Sequence, residues 1–244
     1  MKPMSKLSPL SKFEHTKLKI VESTDYSRFK EQHVIPIVVQ EFSALASEFP
    51  LVFINNAVTD VLTPVAMMGI KNGVNLYCQN SEWLSPVTPI GFSNAPLSIV
   101  KQSQDSTEVM VYIDEESDLV SHEIGNPLFE DNGNKTDYLV KKSQKLVEID
   151  QYSQQTAAIM HFLASKNLFC NRPLKIKLTN ESQQYSINGI NIIDEEVLNN
   201  LPIQDFEELR TKGLLPLIYA HLNSLHQMAR LTLKQNVFDE KNNK

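Results

Sequence analysis

The chain is short of glycine, with 7 in 244 residues, about half the usual share. No two of them form a G-x-G, so a glycine-rich loop that cradles phosphate is excluded. Two cysteines, Cys78 and Cys170, exclude a disulfide framework. Arginine occurs only at Arg28, Arg172, Arg210 and Arg230, and arginine is the residue that makes forked contacts to phosphates and bases. With 29 acidic against 23 basic residues and a formal net charge of -6, nucleic acid is not an expected partner. The lysine-bearing residues 1–19 lack the apolar core of a secretory signal, which makes the cytoplasm the expected location. Two uncharged stretches, residues 83–100 and 213–229, are interrupted by Pro86, Pro89, Pro96 and Pro216. No membrane span is expected from either.

What is present is 41% hydrophobic and 21% charged residues, the composition of a soluble globular protein. A chain of this length can bury a core without staples, and one domain over residues 1–244 is expected. Residues 1–12 read as a loose arm. Residues 16–21 alternate Leu18 and Ile20 with lysines, a half-buried strand. Residues 36–49 read as a short helix opened by Pro36 and closed by Pro50. Three apolar runs follow, at 51–54, 64–70 and 74–79, and Lys71-Asn72-Gly73 suggests that the last two form a hairpin. Residues 83–96 carry too many prolines for regular structure and are expected to cover the sheet with Trp83, Ile90 and Phe92.

Strands at 97–102 and 108–113, joined by residues 103–107, complete a β-rich part over residues 15–113. An acidic connector spans 114–135. Leu139, Leu146, Ile149, Met160 and Leu163 recur at helical spacing, which predicts one long helix over 136–166. A second hairpin is expected within 174–193. Short helices at 194–201 and 205–211 and a long one at 214–233 follow, and residues 236–244 read as a frayed tail.

Few constellations carry chemistry. Asp114, Glu115, Glu116, Asp118, His122 and Glu123 have the oxygen and nitrogen donors of a divalent-metal site but not the spacing of a calcium loop, and a solvated turn or helix start is the favoured reading of them. His221 and His226 are five apart, which turns them by about 140° around a helix, so they do not converge as a zinc pair would. His221 instead falls on a stripe with Leu214, Leu217, Leu225 and Met228 and reads as a hydrogen-bonded core histidine. Gly91-Phe92-Ser93-Asn94-Ala95 lacks the helix that a nucleophile elbow requires after the serine, because Pro96 follows. Cys78 and Cys170 read as small buried hydrophobes. Phe49, Phe53, Trp83 and Phe92 could line a ligand or partner pocket beneath the irregular segment.

The order of short motifs resembles the SapC family. The first half shows His33-Val34-Ile35-Pro36, Glu41-Phe42, Phe49-Pro50-Leu51-Val52-Phe53, Ala66-Met67-Met68-Gly69, Gly73-Val74-Asn75-Leu76-Tyr77 and Trp83. The second shows Ile113-Asp114-Glu115-Glu116-Ser117, Glu123-Ile124-Gly125-Asn126-Pro127-Leu128-Phe129, Asp194-Glu195 and Ile218-Tyr219-Ala220-His221-Leu222-Asn223-Ser224-Leu225. The resemblance implies a bacterial accessory protein that carries a surface-layer label. It implies genomic neighbours of two kinds, flavin-dependent halogenase-like proteins and TonB-dependent transporters. It supplies no catalytic residue set.

The expected fold is α+β: an antiparallel sheet of five or more strands plus a second hairpin, with two long C-terminal helices packed on it. The expected function is that of a non-enzymatic accessory or interaction protein of a cell-envelope, surface-layer or TonB-linked nutrient-uptake system. Its expected partner is a protein, either a flavin-dependent halogenase-like protein or an envelope component. No cofactor is expected, a metal is left undetermined, and homo-oligomerisation stays open. Ligand or partner contacts are expected at Trp83, Phe92, Asp114, Glu115, Ser117, Tyr219 and His221. The alternative is a metal-dependent ligand-binding protein or enzyme with a pocket near Asp114, Glu115 and His221. Under the family label the cell surface is the alternative location.

Overall fold

A computed structural model describes residues 6–56, 61–101, 109–179 and 184–242; residues 1–5, 103–107 and 243–244, covered by the arm, the strand link and the tail end above, lie outside them. The chain forms two compact units. The first comprises residues 1–24 and 90–151, the second residues 25–89 and 152–244. The α+β class holds, with helices alongside several antiparallel sheets, one of five strands.

In the first unit Val109–Asp114 pairs with Leu97–Lys101 on one side and with Leu7–Pro9 on the other. The expected loose arm therefore contains an edge strand. Leu7, Ser8 and Pro9 are too few to show an alternation, and their pairing partners lie far along the chain. Lys19–Ile20 is flanked by Val120–Ser121 and Asn126–Pro127, so the acidic connector also contributes strands. Gly125 has φ +110°, and a Cβ there would lie 2.5 Å from the Ile20 carbonyl oxygen. Only glycine fits that close approach. The core is Leu18, Ile20, Leu97, Ile113, Leu128, Phe129, Leu139 and Leu146, each side chain contributing roughly 1.5–3 kcal/mol by burial.

In the second unit the five-stranded sheet runs Phe169–Asn171, Ile190–Ile193, Leu51–Asn55, Leu62–Met67, Val34–Pro36, antiparallel throughout. Leu51, Val52 and Phe53 are all buried, as are Val65, Ala66 and Met67. Successive side chains point to opposite faces, so both faces of these central strands are covered.

The hairpin expected from residues 64–70 and 74–79 does not form. Leu62–Met67 pairs instead with Leu51–Asn55 and Val34–Pro36. Beyond it the chain folds back tightly, and a Cβ on Gly69 would stand 1.8 Å from the Val74 carbonyl oxygen. Asn75 then diverts the backbone, donating its amide to the Phe29 carbonyl at 3.1 Å and accepting the Tyr77 N–H at 3.0 Å. Residues 36–49 reduce to a 3-10 turn, Val39–Glu41, and one helical turn, Phe42–Leu45, because Pro36 joins a strand. The second hairpin pairs Leu174–Ile176 with Tyr185–Ile187.

The helix Asp137–Ser165 is the long one expected. Thr136 caps its start by accepting the Leu139 N–H, and Asn167 ends it at φ 55°. The expected helix over 214–233 is divided into Leu215–Ser224 and Gln227–Asn242. At the break the N–H groups of Leu225, His226, Met228 and Ala229 bond to the residue three before, and this tighter winding interrupts the α-helix. No helix among the described residues is long and apolar enough to cross a membrane.

Candidate functional site

His221 is wholly buried and both its ring nitrogens are occupied. Nε2 accepts the Ile193 N–H at 3.0 Å, and Nδ1 lies 2.9 Å from the Leu51 carbonyl oxygen. A backbone N–H only donates and a carbonyl only accepts, so the proton sits on Nδ1 and the ring is neutral. Burial pushes its pKa down to about 4, against the raising effect of the Leu51 carbonyl. One turn later the Ser224 hydroxyl accepts the Leu51 N–H at 2.9 Å and donates to the His221 carbonyl at 2.6 Å. Together the two side chains bolt the Leu215–Ser224 helix to both polar groups of Leu51. The Phe53 ring packs on the imidazole at 4.7 Å. His221 has no lone pair left for a metal or for proton abstraction. Tyr219, nearly opposite on the same helix, exposes its ring.

Asp114, Glu115 and Ser117 form the turn after the Val109–Asp114 strand. Asp114 Oδ1 accepts the Glu116 N–H at 3.3 Å, and Ser117 Oγ accepts the Leu119 N–H at 3.3 Å. Glu115 receives Lys6 Nζ at 2.7 Å, the Ser8 hydroxyl and His15 Nε2 at 3.2 Å. His15 Nδ1 accepts the Ser11 N–H at 2.9 Å, which leaves the proton on Nε2 to donate. These donors, Lys6 first, then Ser8 and His15, hold the Glu115 carboxyl down at about 2. The carboxylate thus ties residues 6–15 to the strand end. Asp114 and Glu115 belong to the first unit and His221 to the second. Among the described residues no group of three or more His, Cys, Asp and Glu stands together to hold a metal ion. The alternative metal-dependent site therefore gains no support.

Trp83 belongs to an aromatic cluster, with ring centroids 5.8 Å from Tyr26, 6.1 Å from Phe49 and 6.1 Å from Tyr77. Its indole N–H donates to the Val87 carbonyl at 2.9 Å. Phe49 and Phe53 are completely buried, so the pocket expected beneath the irregular segment is packed with side chains at these positions. The segment itself divides between the units, and Phe92 is buried in the first, on the 3-10 turn Ile90–Ser93. Ser93 Oγ donates to the Ile90 carbonyl at 2.8 Å, a turn contact and not a nucleophile beside a base. Burial pushes the Cys78 thiol upward, away from the reactive thiolate, and its Sγ donates to the Tyr26 carbonyl.

The sequence reading missed a cavity of about 500 Å³ in the second unit. Lys30, Val74, Cys78, Asn80, Phe238 and Lys241 are among the residues that line it. Val74 and its neighbour Asn75 come from the Gly73–Tyr77 motif, and Asn80 and Ser81 follow at φ 49° and 70°. Non-glycine residues with positive φ are costly and gather at functional turns; side-chain spacing gives no signal of them. The cavity offers cations, the Glu31 carboxylate, amides and an apolar ring, suited to holding a polar ligand or segment. Its Cys78 thiol is engaged by the Tyr26 carbonyl.

No curated protein and no solved structure matches the chain. The SapC family model does match, over residues 10–231, which runs through both units. The matched range includes Gly69, Asn75, Gly125, His221 and Ser224, each held at a backbone contact described above. The chain belongs to the SapC family.

Proposed function

We propose that this chain is a non-enzymatic accessory protein that works by binding another protein. The reading associates it with a cell-envelope, surface-layer or TonB-linked uptake system and places it in the cytoplasm. The observation that carries it is the use made of the family-pattern side chains. His221 and Ser224 hold Leu51, Asn75 holds Phe29 and Tyr77, and Asp194 caps the Glu195–Asn199 helix through the Glu196 and Val197 N–H groups. Side chains committed to backbone in this way are unavailable for turnover. Contact with a partner falls instead to exposed apolar groups of the C-terminal helices, Tyr219, Ile203, Leu233 and Val237. Of the residues singled out from the sequence, Tyr219 is the one this reading assigns to the partner. The family match running through both units supports one functional domain.

The resemblance names the partner to try first, a flavin-dependent halogenase-like protein of the same bacterium. Light scattering of the purified pair should give a stoichiometric complex. Tyr219→Asp combined with Ile203→Asp should weaken it without changing the melting temperature. A pair that stays separate, together with a chain that turns over a substrate unaided, overturns the reading.

A further inference from the structure

We propose that the first unit also holds a small ligand carrying a phosphate or carboxylate group, in a cavity between the Ser93–Asn94 turn and one face of the Asp137–Ser165 helix. The cavity has a volume of about 240 Å³. Tyr138, Lys141, Lys142 and Lys145 line it because spacings of three, four and seven residues fall on one helix face. Leu146, buried in the core, forms its floor. In a chain of net charge -6 this concentration of lysines on one wall is a local positive field.

The lysines differ in how far they are already neutralised. Lys142 is held, with Nζ 2.9 Å from Glu22 and 3.3 Å from the Ser93 carbonyl, and so anchors the helix to the turn. Lys145 meets Glu148 at 3.3 Å, with both side chains close to half exposed, and pairs of that kind are worth at most about 1 kcal/mol. Among the described residues Lys141 makes no ion pair. It is exposed at the cavity and available to an anion. Across the cavity, Asn94 Oδ1 is buried without a hydrogen-bond partner; as an acceptor it suits a hydroxyl or protonated oxygen of the ligand, while the anionic oxygens fall to the lysines.

Two features set the ligand class. The volume lies just below the usual range of about 300–1,000 Å³ for small-molecule sites, which suits a phosphomonoester or small carboxylate and excludes a dinucleotide. Lysine presents a compact charge without the fork of arginine, so the wall recognises an oxyanion as such. This site is separate from the partner contacts above and stands without them.

The test is isothermal titration calorimetry of the full chain at low salt with inorganic phosphate, glycerol 1-phosphate and citrate as probes. At least one should bind with one-to-one stoichiometry and weaken as salt is added. Selective binding of the two phosphates identifies a phosphate ligand, and selective binding of citrate a carboxylate. Lys141→Gln combined with Lys145→Gln should weaken binding by about tenfold or more, since each removes one favourable charge. Asn94→Asp, which adds a carboxylate to the opposite wall, should do likewise. Lys175→Gln, in the hairpin of the second unit, should leave binding unchanged. No saturable binding of any probe, or an equal loss in Lys175→Gln, overturns the proposal.

Discussion

Replacing His221 with glutamine should remove a specific part of the pH dependence of stability. In the folded protein His221 titrates at about 4 against an ordinary 6.5. Between those values the unfolded chain binds a proton that the folded chain refuses, so stability rises with pH across the window. The contribution is fully present above pH 6.5 and is lost as pH falls through about 4. A displacement of this size corresponds to about 3 kcal/mol. For a chain of this length that is roughly 6–12 °C in melting temperature. His221→Gln cannot titrate and at best restores one of the two backbone contacts, at Ile193 or Leu51. At pH 7 it should therefore be less stable by about 1–3 kcal/mol, the cost of an unmade buried hydrogen bond. As pH approaches 4 the two proteins should converge. His33, whose pKa is also lowered by burial, adds a slope of the same sign to both proteins and cancels from the difference. Urea midpoints measured in steps from pH 4 to 7.5 provide the assay. Parallel curves for wild type and variant would refute the claim that His221 is buried neutral between Leu51 and Ile193.

Gly69→Ala should destabilise the second unit by more than about 3 kcal/mol, because its Cβ would meet the Val74 carbonyl and backbone clash is among the few causes of losses that large; soluble yield and melting temperature report it. Glu115→Gln should flatten the acid limb of stability between pH 4.5 and 2, because the wild-type carboxylate contributes above its unfolded pKa and loses that contribution as pH falls through about 2. Acid titration followed by circular dichroism distinguishes the two proteins. Tyr77→Phe, which removes the hydroxyl donated to the Glu48 carbonyl at 3.0 Å, should cost about 1 kcal/mol in denaturant titration.

Elements governed by local rules were legible in the sequence. The Asp137–Ser165 helix followed from apolar spacing, and the pairing of Leu97–Lys101 with Val109–Asp114 from two adjacent apolar runs. The burial of His221 followed from its stripe. What escaped was decided by partners distant in the chain. Leu7–Pro9 gave no strand signal because its ladder is completed by residues 112–114. The Lys71-Asn72-Gly73 turn suggested a hairpin, but its flanks were claimed by Gly69 against Val74 and by Asn75 against Phe29. The acidic run around Glu115 looked like a metal-ligand set because Lys6, Ser8 and His15, which neutralise and bind it, lie about a hundred residues earlier.

The same contrast bears on where function can lie in this protein. The short motifs of this chain include positions where few residue types satisfy the backbone around them. Gly69 and Gly125 are required by carbonyl oxygens that a Cβ would strike, Asn75, His221 and Ser224 by backbone groups that would otherwise be buried unpaired, and Asp194 by the first N–H groups of the helix it caps. Such residues identify the fold and are the wrong ones to interrogate for activity. The lysines at 141 and 145, the ring of Tyr219 and the apolar groups at 203, 233 and 237 satisfy no comparable backbone demand. Substitutions there can change what the protein binds while leaving it folded, and they separate function from scaffold in a way that mutating His221 cannot.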